Sequence, residues 1–300
     1  MRTVYLGTTD FAVCVLERLA RTPHTPVLVV TRPDRPKGRG RRLASPPVAV
    51  AARELGIEVI QPEIVNSEEA RARIAQADVE AVCVCAFGAL IREPLLSEHH
   101  MLNVHPSLLP RWRGAAPIER AIEAGDPETG VSIMRPTAEL DEGPVFLQRR
   151  ERIAPDDDYA SLAARLAILS GEMLVEVLDT RPQPQPQSPQ GVTYAEKVER
   201  EERRLDPRQP AELLARRVRA LNPHIGTFVE LAGEERLGIR RARAVTAAHG
   251  GSPGAIGSDG DDVLLFTGEG ALVLLEVQPA GGRPMDAAAW LRGRRDRAHG

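Results

Sequence analysis

"TVYLGTTDFAVCVLERLARTPHTPVLVVT", residues 3–31, holds the pattern on which the fold turns. A short apolar run ends at Leu6, Gly7 permits a turn, and apolar residues then recur at helical spacing behind Asp10, an acid suited to a helix N-terminus. "PVLVVT" follows as a second apolar run of strand length. Strand, helix and strand in succession predict a βαβ unit, whose two strands lie parallel. The pattern continues: "PPVAVAARELG" reads as helix, "IEVIQP" as strand, "SEEARARIAQA" as a helix capped by Ser67, and "VEAVCVCAFG" and "MLNVH" as strands. An α/β domain with a parallel sheet covered on both faces is expected.

At 300 residues the chain exceeds most single cores, so two domains are expected. Hydrophobic content of 42% and charged content of 27% describe an ordinary globular protein. The longest apolar run, "AVCVCAFGALI" at 81–91, is too short to span a bilayer, and no targeting segment precedes "MRTVYLG". A cytoplasmic protein that does not engage membranes is expected, and a monomer. Cys14, Cys83 and Cys85 are odd in number and sit in apolar segments, which predicts reduced core thiols. The C-x-C pair has no second ligand pair after it, so no metal is expected. "GTTDF" shares only its glycine and position with the dinucleotide-binding turn. It lacks G-x-G-x-x-G, and no acidic residue ends the second strand, which excludes a nicotinamide cofactor.

Downstream, "APIERAIEAG" reads as a short helix, "GVSIMR" and "PVFLQRRERI" as strands, and "DYASLAARLAILSGEMLVEVLDT" as a long helix. The tract "RPQPQPQSPQG", 181–191, reads as an extended linker, because alternating Pro and Gln cannot pack a core. Beyond it come a helix, "PAELLARRVRALNP", short strands separated by Gly and Asp, and a terminal helix, "MDAAAWLRGRRDR". Such spacing predicts a small antiparallel barrel.

Net charge is −3, which carries no global sign of nucleic-acid binding. Residues 32–42, "RPDRPKGRGRR", nonetheless hold Arg32, Arg35, Lys37, Arg39, Arg41 and Arg42 against Asp34 alone. Of the 39 basic residues 37 are arginine, a bias that scatters clusters by itself. Two prolines and two glycines among these charges rule out a plain solvated helix face, and the loop reads as anion-binding.

The second informative stretch is "NVHPSLLPRWRGAAPI", 103–118. "MLNVH" delivers Asn103 and His105 to a strand end, on one face, where ligands of open α/β sheets bind. An amide donor and an imidazole suit a developing oxyanion and a departing amine proton, although they equally suit the capping of a buried turn. "TAELDEGPV", 137–145, places Asp141 in a turn between two strands, where a carboxylate serves turn chemistry or, beside His105, orients the imidazole. Ser107 lies in no nucleophile elbow. Asn, His and Asp without a nucleophile point to direct acyl transfer.

"NVHPSLLPRWRGAAPI" with "LDEG" downstream, joined by "GTTDF", "PDRPKGRG", "TYAEKVEREE" and "ALNP", resembles the tetrahydrofolate-dependent formyltransferases over residues 2–295, in the branch that acts on methionyl-tRNA. The resemblance implies a Rossmann-like formyltransferase domain at 1–180, a linker at 181–204, and a smaller OB-like β-barrel domain at 205–300 that contacts the tRNA backbone. It implies 10-formyltetrahydrofolate as formyl donor, the free amine of initiator methionyl-tRNA as acceptor, and Asn103, His105 and Asp141 as catalytic residues. It places Ser107, Leu108, Leu109 and Pro110 in the folate site, with Phe87, Gly88, Leu90 and Ile91 walling the pterin pocket. It sends the loop of Arg35, Lys37, Arg39, Arg41 and Arg42 into the tRNA acceptor end. Pro207 and His224 stand where relatives often carry aromatics, which bears on tRNA contact. An enzyme of the same chemistry acting on an amino sugar nucleotide is the alternative.

Overall fold

A computed structural model describes residues 1–37, 42–231, 235–246 and 250–299. Its elements run β1 (Thr3–Gly7), α1 (Asp10–Ala20), β2 (Pro26–Val30), β3 (Arg35–Lys37), β4 (Arg42–Ala44), α2 (Pro47–Glu54), β5 (Glu58–Ile60), α3 (Glu68–Gln76), β6 (Ala81–Cys85), α4 (Leu95–Glu98) and β7 (Met101–His105). Then follow β8 (Arg113–Gly114), α5 (Pro117–Ala124), β9 (Glu128–Met134), β10 (Val145–Arg152), α6 (Tyr159–Thr180) and β11 (Tyr194–Ala195). The remainder is α7 (Ala211–Leu221), β12 (Thr227–Glu230), β13 (Arg236–Val245), β14 (Ile256–Asp259), β15 (Asp262–Phe266), β16 (Ala271–Pro279), β17 (Met285–Asp286) and α8 (Ala287–His299).

The first unit is a seven-stranded sheet ordered β10-β9-β7-β6-β1-β2-β5. β5, β2, β1, β6 and β7 are parallel, as the βαβ pattern predicts, while β9 joins β7, and β10 joins β9, antiparallel. All of β1 and β6 is buried, because helices cover both faces. On one face Val4, Leu6, Val82 and Val84 pack with Ile74 of α3 and Leu95 of α4. On the other, Tyr5 donates its hydroxyl to Ala12 O in α1. Each such Val or Leu contributes about 1.5–3 kcal/mol by leaving water. The hydroxyls of Thr9 and Ser67 accept from Ala12 N and Ala70 N, capping α1 and α3. Strand order reverses between β1 and β6, so their carboxyl ends flank a crevice.

The Pro/Gln tract is extended, but it is fastened to this unit instead of tethering two cores. Gln185 exchanges two backbone hydrogen bonds of 2.8 Å with Val145, and β11 pairs with β8. Proline removes a donor at alternate positions only, and the glutamines between keep their own. The first unit therefore comprises Met1–Pro117, Glu128–Arg152 and Ala163–Ala195, and the second Ile118–Pro127, Ile153–Leu162 and Glu196–Gly300. The division expected at 180 falls at 195, and two internal segments change sides.

In the second unit the strands run β12-β13-β16-β15-β14, with β17 on β16, antiparallel throughout. Leu214 and Val218 of α7 and Trp290 of α8 pack with Leu237, Ile239, Leu265 and Leu272 of the sheet. Asn222, from the "ALNP" motif, is buried and donates to Val218 O and Ile239 O. Its role is to close α7 onto β13. Among the described residues no helix is long and apolar enough to cross a membrane.

Candidate active site

Strand alternation sets the geometry. Asn103 pairs with Val84, so Met101, Asn103 and His105 share the face of Val82 and Val84, at the crevice end of β7. Thr8, just past β1, donates its hydroxyl to Phe87 O just past β6, bridging the crevice at 2.6 Å. Asn103 is half-buried, and its amide makes no hydrogen bond among the described residues.

His105 is 4% exposed. Its Nε2 lies 2.8 Å from Trp112 O, an atom that only accepts, so Nε2 carries a proton. Its Nδ1 lies 3.5 Å from Asp141 Oδ2, which ties the turn after β9 to the end of β7. Trp112 has φ +62°, a conformation that costs a non-glycine residue about 1–3 kcal/mol and is held here by a bond from its N–H to Thr193 Oγ1. The Arg111 guanidinium lies over the Trp112 ring, 4.3 Å from its centroid.

Asp141 also has positive φ, +51°. Its Oδ2 accepts from Gly114 N at 2.9 Å. The two glycines here are sterically required: a Cβ on Gly114 would stand 2.6 Å from Ala195 O, and one on Gly143 would collide with Arg135 O. "WRG" and "LDEG" are therefore one structural unit. Asp141 is only slightly exposed, so His105 and Asp141 meet largely out of water, where charge interactions strengthen.

The turn after His105 is built on the antiparallel strands. Ser132 of β9, fully buried, donates to Ser107 O at 2.6 Å and accepts from Leu109 N at 3.2 Å and Gln148 Nε2 at 2.9 Å. Gln148 of β10 also donates to Leu109 O. The Ser107 hydroxyl donates to Arg111 O. Ser107 and Leu109, expected against a ligand, are thus buried and committed to the turn, while Leu108 and Pro110 keep partial exposure.

After β6, Ala86 and Gly88 take positive φ, and Asn66 grips the loop through Leu90 O and Arg92 N. Phe87 is 4% exposed within the core of Val4, Leu6 and Leu95, and Ile91 packs partly against it. Leu90 is 55% exposed. Of this expected wall, Phe87 is core and Leu90 is open surface.

The basic loop is partly a hairpin, β3 pairing with β4. Arg35 pairs with Glu63 at 2.9 Å, both side chains exposed, a contact of little energy. Gln61 and Ser45 donate to Asp34 and hold its carboxyl below the usual range. Arg42 is exposed, and the expectations for Arg39 and Arg41 lie outside the described residues.

The two buried thiols of β6 and the exposed imidazole of His224 stand outside this site. Burial pushes the Cys83 and Cys85 thiols up to about 12, so both are neutral and unsuited to nucleophilic work. His224 stacks on Tyr159, with ring centroids 3.6 Å apart, and its Nε2 lies 3.0 Å from Glu119 Oε1. Its ring serves as a planar packing surface for Tyr159.

Sequence reasoning missed Ser132 and Gln148, ordinary residues whose positions only strand pairing reveals. It also passed over Arg113 and Gln187. Arg113 lay within the quoted motif, and Gln187 looked like linker.

Known proteins resemble this chain over nearly its whole length. A model described as formyl transferase matches residues 1–178, and one described as formyl transferase, C-terminal domain, matches 197–295. A methionyl-tRNA formyltransferase of Xanthomonas axonopodis pv. citri is 46% identical over 304 residues, covering 99% of this chain and 98% of its own. A solved methionyl-tRNA formyltransferase from Clostridium thermocellum superposes with TM-score 0.62 at 16% identity, over 83% of this chain and 95% of that one. HypX from Aquifex aeolicus, solved in complex with tetrahydrofolic acid, superposes with TM-score 0.65 at 18% identity, over 97% of this chain and 47% of its own. These two structures share the fold.

Proposed function

The chain belongs to the formyl transferase family, and on that premise we propose that it transfers the formyl group of 10-formyltetrahydrofolate to the α-amine of methionyl-tRNA, initiator tRNA being the physiological acceptor. The observation that carries the reading is the 3.5 Å approach of His105 to Asp141, with the Asn103 amide, unpartnered among the described residues, two residues before on the same strand face.

The residues fit such a donor. The crevice lies at the strand-order reversal, and in the loop after β6 the exposed Leu90 offers apolar surface. Gly88, Leu90, Ile91, Leu108 and Pro110 supply the wall facing the pterin, while Phe87, Ser107 and Leu109 support it from behind.

In the reaction the amine attacks the formyl carbon, and the formyl oxygen takes the negative charge. Asn103 and the Nδ1–H of the His105 imidazolium donate to that oxygen while Nε2–H stays on Trp112 O, and Asp141 balances the imidazolium charge. The imidazolium gives its Nδ1 proton to N10 as the C–N10 bond breaks, and the proton leaving the amine, taken up by the Asp141 carboxylate, returns to Nδ1, so that one proton moves from amine to N10 and the pair is restored. Products are formylmethionyl-tRNA and tetrahydrofolate. No metal enters this scheme. We assign contact with the acceptor end to the loop of Arg35, Lys37, Arg39, Arg41 and Arg42, and contact with the tRNA backbone to the second unit. Turnover in the cytoplasm, by a monomer, completes the reading.

The test is formyl transfer by the purified protein from 10-formyltetrahydrofolate to charged initiator and elongator methionyl-tRNA, beside an amino sugar nucleotide. Preferred formylation of the initiator supports the reading. Transfer to the sugar alone overturns it.

A further inference from the structure

We infer that Gln187, within the Pro/Gln tract, is a positioning residue that sets the carboxylate of Asp141 against His105. Three consecutive residues of the turn are held by one pair of side chains. Gln187 Nε2 donates to Asp141 O at 2.6 Å and to Gly143 O at 2.8 Å. Its Oε1 accepts from Arg113 Nη2 at 2.9 Å and Nε at 3.2 Å. Arg113 in turn reaches the side chain of Glu142, the residue between, at 2.7 Å.

The arrangement suits a turn that would not hold itself. Asp141 sits at φ +51°, which a non-glycine residue keeps only when its surroundings over-determine it. Besides His105, the carboxylate meets the N–H of Gly114, and Gly114 follows Arg113 in β8. Gln187 therefore locks the turn's backbone to the same short strand that grips its carboxylate.

Chain chemistry explains why a glutamine does this from such a tract. Pro184 and Pro186 fix an extended backbone with little entropy left to lose. The two backbone bonds of Gln185 to Val145 anchor it on one side, and β11, pairing Tyr194 with Arg113 and Ala195 with Gly114, anchors it on the other. A neutral amide can donate to two carbonyls while accepting from a guanidinium, which no carboxylate or amine does at neutral pH. Arg113, 7% exposed, in turn needs those acceptors, since a buried cation without partners is costly.

The kinetic half of the test rests on the formyl-transfer reading of the site. Gln187→Ala and Gln187→Glu are made in the full chain. Gln187→Glu keeps the acceptor for Arg113 but loses both donors, so it separates anchoring of the tract from clamping of the turn. Both variants are expected to lower kcat about tenfold or more, with KM for each substrate moving less than about twofold and the thermal midpoint falling by only a few degrees, since Arg113 keeps Glu142 as a partner. In an Asp141→Ala background, Gln187→Ala should cost less than about twofold more, because it acts through that carboxylate. Hydrogen exchange at the Gly114 amide should accelerate about tenfold in Gln187→Ala while β6 and β7 amides hold.

Wild-type kcat in Gln187→Glu, an equal cost with and without Asp141, or unchanged Gly114 exchange would each overturn the inference. If the wild-type protein leaves methionyl-tRNA unformylated, the functional reading fails instead. The exchange at Gly114 needs no substrate and still decides the positioning.

Discussion

His105 Nδ1 stands 3.5 Å from Asp141 Oδ2, joining the end of β7 to the turn between β9 and β10. This distance exceeds a hydrogen bond and marks an ion-pair contact, one that gains when the imidazole is charged. Asp141→Asn keeps the shape, and its amide oxygen can still accept from Gly114 N. Loss of the charge alone should lower kcat on the order of a hundredfold with an unchanged circular dichroism spectrum. Near wild-type formyl transfer by this variant would reduce Asp141 to a turn residue.

Ser132 carries the Ser107–Pro110 turn on its hydroxyl. Ser132→Ala leaves Leu109 N and one Gln148 donor contact without an acceptor in a buried site, at a cost of about 1–3 kcal/mol. Urea unfolding reads the loss. An unchanged midpoint would mean that water or a neighbour replaces the serine.

Gly114→Ala combines an unfavourable φ of +124° with a Cβ driven into Ala195 O, so a loss of about 2 kcal/mol or more is expected. The same pairing predicts that a fragment ending at Ala195 unfolds at higher urea than one ending at Arg181, which lacks β11 and Gln187. Equal midpoints for the two fragments would return the tract to a plain linker.

The two β6 thiols make a prediction about pH. Their ordinary value of 9.0 is raised by burial to about 12, so unfolded chains release these protons first between those values. Stability is whole below pH 9 and falls as pH rises toward 12. At pH 8, iodoacetamide should modify the partly exposed Cys14 and spare Cys83 and Cys85 until urea unfolds the chain. Labelling of all three thiols in the native state, seen by mass spectrometry, would contradict the burial.

For the basic loop, Arg39→Ala should weaken kcat/KM for methionyl-tRNA by about ten- to a hundredfold and flatten its salt dependence, with KM for folate unchanged. Identical salt slopes in variant and wild type would assign the cluster to compositional bias.

Local pattern and chemistry made much of this protein legible in its sequence. The alternation of apolar runs and capped helices determined the parallel strands, because periodicity and caps are properties of contiguous residues. Asn103 and His105 were readable for the same reason: two positions apart on a strand, they must share a face. What only the tertiary structure decided were the meetings of residues remote in the chain. Ser132 became the support of the Ser107–Pro110 turn through antiparallel pairing of β9 with β7, whose register depends on a turn and a helix between them. The meeting of Asp141 with His105 could be posed from sequence and was decided by strand order. For the Pro/Gln tract, composition reports that a segment cannot build a core, and not whether it lies against one. Its backbone donors and the Gln187 amide found acceptors at Val145 and the Asp141 turn, partners that exist only once the sheet has formed.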